Sequence, residues 1–248
     1  MSKFYNLSIK EYENGETKYT FYKNSVMYDH EKHYAGIRGQ ARYPKHSLHT
    51  SLQRTKNQII DLAKNNPWDL FITITFDKNK VDRYNYDKVA NKLSRRLKYL
   101  KHKKCNNLQY ILVPELHKDG AIHFHGLLSN ISELDLVDSG KKTKDGQTIY
   151  NMPDFDLGFT TATLINDTKK ASYYISKYIT KEMIAVSFNR KRYWRSRDLT
   201  VPKPNVYLYN EKDTNQLVST LNMISVHSSS KTLIKNNLEI QQIKYFYM

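Results

Sequence analysis

Hydrophobic and polar positions divide the middle of the chain into strands and helices. Residues 71–76, Phe-Ile-Thr-Ile-Thr-Phe, alternate bulky β-formers with threonine and predict a strand. Residues 84–100 place apolar side chains at helical spacing opposite lysines and arginines, which predicts an amphipathic helix. The buried face of that helix would consist of Val89, Leu93, Leu97 and Leu100.

Shorter patterns on either side complete the central elements. Two further helices are predicted at 47–65 and 169–183. Three further strands are predicted at 108–113, 121–128 and 159–164. The first two of these form a hairpin around the turn Lys118-Asp119-Gly120. Residues 138–153 are rich in Lys, Gly, Asp and Thr and predict a loop.

Both ends of the chain give weaker patterns. Residues 1–45 predict one or two hairpins or an irregular extension, because they are polar and broken by glycine and proline. The chain after residue 200 predicts one weak helix and a strand-like end at 243–247.

Strand, helix, hairpin, strand and helix follow one another over residues 70–183. This order predicts the α+β class, with a ferredoxin-like or RRM-like antiparallel sheet and helices on one face. We expect three parts: an N-terminal extension with a hairpin and a helix at 1–66, a main domain at 67–200, and a C-terminal extension at 201–248.

The charge of the chain indicates a polyanionic partner. Its 248 residues include 40 Lys and Arg against 24 Asp and Glu, a net charge of +16, so nucleic acid is the first candidate. A lysine-rich protein without such a partner is the alternative. Within residues 188–197 basic and aromatic side chains alternate, as in sites for single-stranded nucleic acid. The predicted DNA-binding residues there are Arg190, Lys191, Arg192, Arg195 and Arg197.

Cysteine content and apolar runs indicate where the protein works. Cys105 is the only cysteine, so the chain can form neither an intramolecular disulfide nor a zinc site of several thiolates. The first residues lack the apolar core of a signal peptide, and no run approaches the roughly 18–20 apolar residues of a membrane span. We therefore expect a cytoplasmic protein, in a bacterial host cell, with no membrane partner.

Two histidines in the predicted hairpin are candidate metal ligands. His123 and His125 are two residues apart in a strand, so they project from the same face. Pairing across the turn brings Glu115 or His117 beside them. Two imidazoles and a carboxylate suit a first-row divalent ion. Glu115 is the expected third ligand and His117 the alternative, although packing and a solvated carboxylate would also explain these residues.

The last predicted helix carries two candidate nucleophiles. Tyr174 and Tyr178 are four residues apart and share one helix face, with Lys177 and Lys181 on the adjacent face. A tyrosine hydroxyl attacks only when a metal or a cation activates it. Packed aromatic side chains are the alternative interpretation, and Tyr173, about 100° around the helix, is expected to pack.

Together these motifs resemble those of rolling-circle replication initiators in the HUH endonuclease superfamily. The resemblance covers roughly residues 68–200 and rests on 71–76, on Glu115 with Ala-Ile-His-Phe-His-Gly at 121–126, and on Tyr-Ile-Ser-Lys-Tyr-Ile-Thr-Lys at 174–181. It is nearest to the two-tyrosine initiators of small single-stranded DNA phages and related plasmids. Relaxases place the tyrosine before the histidines, and single-tyrosine transposases are generally shorter.

The resemblance implies a palm-like antiparallel sheet, a divalent metal (Mn²⁺ or Mg²⁺) and a tyrosine that stays attached to the 5′ phosphate of the cut origin strand. Carried over, His123, His125 and Glu115 are the ligands, and Tyr174 and Tyr178 the nucleophiles. Lys177 or Lys181 would contact the scissile phosphate or the phenolate. The partners would be single-stranded origin DNA and a host helicase and polymerase, because the chain has no Gly-x4-Gly-Lys loop.

Two other classes of function use part of the same residues. A metal oxygenase with two histidines and one carboxylate would leave the tyrosines and the charge unexplained. A non-enzymatic binder of single-stranded nucleic acid would leave the clustered histidines unexplained.

Overall fold

The computed structural model describes residues 4–27, 44–178, 187, 190–235 and 238–248. The chain forms two compact units, a larger one of residues 37–200 and a smaller one of residues 1–36 and 201–248. The predicted boundaries at residues 66 and 200 stay a prediction about domains. In the structure the two chain ends share one sheet, and the helix that precedes residue 66 lies in the larger unit.

The described strands are numbered in chain order. They are β1 (Phe4–Glu11), β2 (Thr17–Met27), β3 (Leu70–Phe76), β4 (Gln109–Leu116), β5 (Ile122–Ser129), β6 (Val137–Lys142), β7 (Thr148–Asn151), β8 (Gly158–Leu164), β9 (Trp194–Arg195), β10 (Asn205–Tyr207), β11 (His227–Lys235) and β12 (Leu238–Tyr247). The helices are α1 (Pro44–Lys64), α2 (Tyr86–Lys103), α3 (Thr168–Ser176) and α4 (Glu211–Ile224), and Pro153–Phe155 form a 3₁₀ turn.

The larger unit contains a seven-stranded sheet in the order β6-β7-β8-β3-β5-β4-β9, and all of its neighbouring strands are antiparallel. Its centre, β8-β3-β5-β4, consists of the four predicted strands. Numbered along the chain, they have the order fourth, first, third, second, which is that of a ferredoxin-like sheet. The predicted α+β class is confirmed.

Helices cover both faces of this sheet, not one face as the sequence predicted. Alternate residues of a strand point to opposite faces. Ile72 and Ile74 of β3 are fully buried in one core cluster with Val89 and Leu93 of α2. The neighbouring position Phe71 packs against a second cluster. That second cluster joins Ile111, Val113 and Leu127 of the sheet to Ile59 and Leu62 of α1 and Ile175 of α3.

Two sequence predictions in the larger unit need correction. Residues 138–153 are not simply a loop, because β6 and β7 pair as a hairpin at the sheet edge. The side chains of β6 are almost all exposed, so the ribbon has no apolar alternation to reveal it. Helix α3 ends at Ser176 with Lys177 as its cap. The part of the predicted helix at 179–183 lies outside the described residues.

The smaller unit is a five-stranded sheet in the order β10-β1-β2-β12-β11. The predicted N-terminal hairpin corresponds to β1 and β2, and the predicted weak helix and strand-like end correspond to α4 and β12. Leu7, Phe21 and Phe246 of the sheet pack with Val218 and Leu221 of α4. In the described part of the chain no helix is both long enough and apolar enough to span a membrane.

Gly126 allows β5 to pack closely against β4. It lies opposite Leu112 on β4 and Ile72 on β3. A Cβ atom at this position would overlap Leu112 Cδ2 and lie 2.6 Å from the Ile111 carbonyl oxygen. The carbonyl belongs to a paired strand and cannot move aside, so the glycine next to His125 is a packing requirement of the sheet.

We expect Gly126→Ala to lower the free energy of unfolding by about 1–3 kcal/mol through this overpacking. The measurement is urea denaturation, compared with Lys141→Ala on the exposed strand β6. The Lys141 variant should remain within roughly 0.5 kcal/mol of wild type. An equal, small effect of both substitutions would show that the sheet at Gly126 can open to accept a methyl group.

Candidate active site

The register of the β4–β5 hairpin brings the predicted metal ligands to one face of the sheet. Glu115 lies directly opposite His123, and His125 is two residues further along the same face. His125 Nε2 is 2.7 Å from Glu115 Oε2, so an imidazole and a carboxylate already meet. The sequence prediction that these three residues come together across the hairpin thus agrees with the geometry of the strands.

His123 has a different neighbour in this structure. Its ring stacks on that of His117, with 4.8 Å between the ring centroids and 7° between the planes. Among the residues that the structure describes, no group of three or more His, Cys, Asp or Glu side chains is arranged to hold a metal ion. In donor chemistry the set of two imidazoles and one carboxylate fits a divalent ion. In arrangement, only His125 and Glu115 converge.

Strand β3 supplies the other contacts of both imidazoles. Thr73 pairs with His125 and Thr75 with His123 across the β3–β5 ladder. Thr73 Oγ1 lies 3.1 Å from His125 Nδ1, and Thr75 Oγ1 lies 3.4 Å from His123 Nδ1. From the sequence these threonines were recognised only as markers of a strand. Their alternation in residues 71–76 was the signal that one face of β3 is polar.

Burial keeps both candidate ligands neutral. It lowers the pKa of His123, and the neighbouring His117 lowers that pKa further. Burial also lowers the pKa of His125 and outweighs the opposing effect of its hydrogen bond to Glu115. A neutral imidazole has the free lone pair that metal binding requires.

The tyrosines that the sequence singled out lie against the histidine face. The ring of Tyr178 stacks on His125, with 3.7 Å between centroids and 14° between planes. Tyr174 meets Tyr178 edge to face at 5.4 Å. Phe71 contacts all three rings, at 5.2 Å from Tyr174, 6.2 Å from Tyr178 and 6.1 Å from His125. We call Phe71, His125, Tyr174 and Tyr178 the aromatic cluster. Phe71 was not predicted as a site residue.

The two tyrosines differ in accessibility and in acidity. Tyr174 is 45% exposed, whereas Tyr178 is half-buried. The pKa of Tyr178 is raised strongly, first by burial and then by its hydrogen bond to Tyr174 and the charges of Tyr174 and Glu115. Tyr174 is therefore the hydroxyl that a substrate can reach directly, and Tyr178 is the one whose ionisation needs a nearby cation.

The lysines and the third tyrosine of this segment lie as follows. Lys177 Nζ is 5.4 Å from the centroid of the Tyr174 ring. Lys181, the other predicted lysine, lies outside the described residues. The hydroxyl of Tyr173 receives a hydrogen bond of 2.6 Å from Lys64, a buried lysine of α1, so Tyr173 ties α3 to α1.

A groove of about 880 Å³ opens beside Tyr174. It lies between α3 and the turn of the β6–β7 hairpin. Its lining includes Phe71, Gln147, Asn166, Lys170, Tyr174 and Lys177. The groove combines aromatic rings, amide groups and two lysines, which are the groups that hold an unpaired nucleotide.

The predicted DNA-binding segment separates into anchored and exposed side chains. Arg190 forms an ion pair of 2.7 Å with Asp87, and Arg192 donates to the hydroxyls of Ser51 and Thr55 on α1. Lys191 Nζ lies 5.2 Å from the Trp194 ring. Arg195 and Arg197 are exposed at the edge of the sheet, where β9 pairs with β4.

Comparison with known proteins agrees with this site. Residues 69–183 match the sequence model of a family described as replication-associated protein ORF2. The matched segment runs from β3 through the β4–β5 hairpin and α3, and so contains the histidine face and both tyrosines. The match confirms the predicted resemblance to Rep-type initiators of rolling-circle replication. No curated protein and no solved structure matches the chain.

Proposed function

We propose that the protein nicks single-stranded origin DNA by tyrosine attack, holds the 5′ end as a phosphotyrosine and rejoins it during rolling-circle replication. The observation that carries the proposal is one continuous contact path. Glu115 bonds His125, His125 stacks on Tyr178, and Tyr178 meets Tyr174. The family match supports a role in replication initiation, and the nicking chemistry is our inference from this path.

The proposal assigns the metal to the histidine face. Glu115, His123 and His125 would hold Mn²⁺ or Mg²⁺, and His117, stacked on His123, is the alternative ligand. The ion would neutralise charge on the scissile phosphate. The protein's own contribution there is to keep the imidazoles buried and neutral beside a carboxylate.

Tyr174 is our candidate for the first attack, because it is the exposed tyrosine of the pair and borders the groove. Its hydroxyl loses a proton and bonds to phosphorus, while the 3′ oxygen leaves and takes up a proton. The cation of Lys177 above the Tyr174 ring favours the phenolate, and Lys181 stays a predicted second cation. The new phosphotyrosine conserves the energy of the broken phosphodiester, so rejoining needs no ATP.

Tyr178 would make the second attack, on the regenerated origin. Its raised pKa keeps it protonated until the first cut has been made and a cation is near. A host helicase and polymerase would act on the nicked origin. Neither the oxygenase nor the non-enzymatic binder accounts for the two tyrosines against His125.

We expect Tyr174→Phe to abolish the first SDS-resistant adduct on a labelled single-stranded origin oligonucleotide with Mn²⁺. Tyr178→Phe should preserve this adduct and reduce strand transfer at least tenfold, because the second attack is lost. Tyr173→Phe is the matched control, since Tyr173 lies next to Tyr174 and bonds Lys64. It should form the adduct at the wild-type rate, and EDTA should prevent adduct formation in all variants.

Peptide mapping of the trapped adduct identifies the nucleophile. A nucleotide on Tyr178 would reverse the proposed order of attack. A nucleotide on Tyr173, or on no tyrosine of residues 173–178, would contradict the two-tyrosine proposal. Full cutting in EDTA would contradict the metal.

We expect Arg195→Ala and Arg197→Ala to weaken binding of any DNA sequence, because both cations are exposed and can reach phosphates. Each loss should lower the slope of log K against log salt by roughly one unit. Fluorescence anisotropy at several salt concentrations measures the slope, and Lys212→Ala on α4 serves as the control. An unchanged slope in both arginine variants would show that this edge faces solvent in the complex. Arg192→Ala should instead lower thermal stability, because Arg192 is anchored to α1.

A further inference from the structure

The two threonines of β3 contact both candidate ligands from behind. Thr73 lies opposite His125 and Thr75 opposite His123, at 3.1 Å and 3.4 Å from the Nδ1 atoms. On the other face of the same strand Ile72 and Ile74 are fully buried. A strand whose only task was packing would not need hydroxyl groups at both positions that face the histidines.

A threonine hydroxyl can both donate and accept a hydrogen bond. His125 Nε2 faces the Glu115 carboxylate, which only accepts, so this network places the proton on Nε2 and lets Nδ1 accept from Thr73. When a cation takes the Nε2 lone pair, the proton has to be on Nδ1, and the same hydroxyl then accepts it. A backbone carbonyl could serve only the second state, and a valine neither.

We propose that Thr73 and Thr75 are positioning residues that hold the imidazoles of His125 and His123 and support either tautomer, so that Nε2 stays available to a divalent cation. This inference rests on the proposed metal-assisted nicking. It assigns a task to the strand at residues 71–76, which the proposed chemistry otherwise leaves as scaffold.

Isosteric substitution tests the inference. We expect Thr73→Val and Thr75→Val each to weaken Mn²⁺ binding roughly 10–100-fold, measured by electron paramagnetic resonance of the free ion. Thr73→Ser and Thr75→Ser should restore affinity, because serine keeps the hydroxyl. Thr161→Val is the matched control: Thr161 pairs with Thr73 from β8, on the side away from His125. It should bind Mn²⁺ as wild type does.

A second readout uses the metal-free protein. In wild type the ¹⁵N shifts of His123 and His125 Nδ1 should be those of hydrogen-bonded nitrogens, and they should move to free values in the valine variants. Should a valine variant not fold, the wild-type shifts and the serine variants decide. Free Nδ1 nitrogens in wild type, or wild-type affinity in both valine variants, would overturn the inference.

The failures of the two proposals are distinguishable. If wild type binds Mn²⁺ with threonine dependence but forms no DNA adduct, the proposed nicking is wrong and the positioning role is supported. If the adduct forms and valine variants bind Mn²⁺ normally, only the positioning role is wrong. If wild type binds no Mn²⁺, both are wrong.

Discussion

The backbone pairing of three neighbouring strands determines where every group of the site lies. In the order β3-β5-β4, the ladder sets Thr75 beside His123 and His123 beside Glu115. A shift of one residue in either pairing would move the histidines into the apolar core on the α2 face. Gly126 helps to hold this register, because only a residue without a side chain fits against Leu112 and the Ile111 carbonyl. The chemistry of the site is thus a consequence of sheet packing.

Burial has opposite effects on the two kinds of group in the site. It lowers the pKa of His123 and His125 and raises that of Tyr178, so both kinds are held in their neutral forms. Neutral imidazoles are suited to bind a cation, and a neutral tyrosine is a poor nucleophile. In the proposed function, the same ion that the imidazoles hold offsets the barrier to ionising the tyrosine. The aromatic cluster joins these two requirements, because Tyr178 lies directly on His125.

The sequence predicted the parts of the fold that strong local patterns encode. The alternation at 71–76, the helical spacing at 84–100 and the turn at Gly120, with its positive φ of 84°, gave β3, α2 and the β4–β5 hairpin. The β6–β7 ribbon was missed because its side chains are polar and exposed. The pairing of β2 with β12 joins the two ends of the chain and has no local signature. Phe71, Thr73 and Thr75 were not recognised as site residues because their roles depend on cross-strand neighbours.

The central claim is that the histidine face of the sheet binds a divalent ion through its imidazoles. Pulsed electron paramagnetic resonance of Mn²⁺ bound to the protein counts directly coordinated nitrogens. Wild type should show two, and His123→Gln and His125→Gln one each, with ¹⁵N-histidine labelling to confirm the source. Mn²⁺ that binds the folded protein without coupling to any histidine nitrogen would contradict the account.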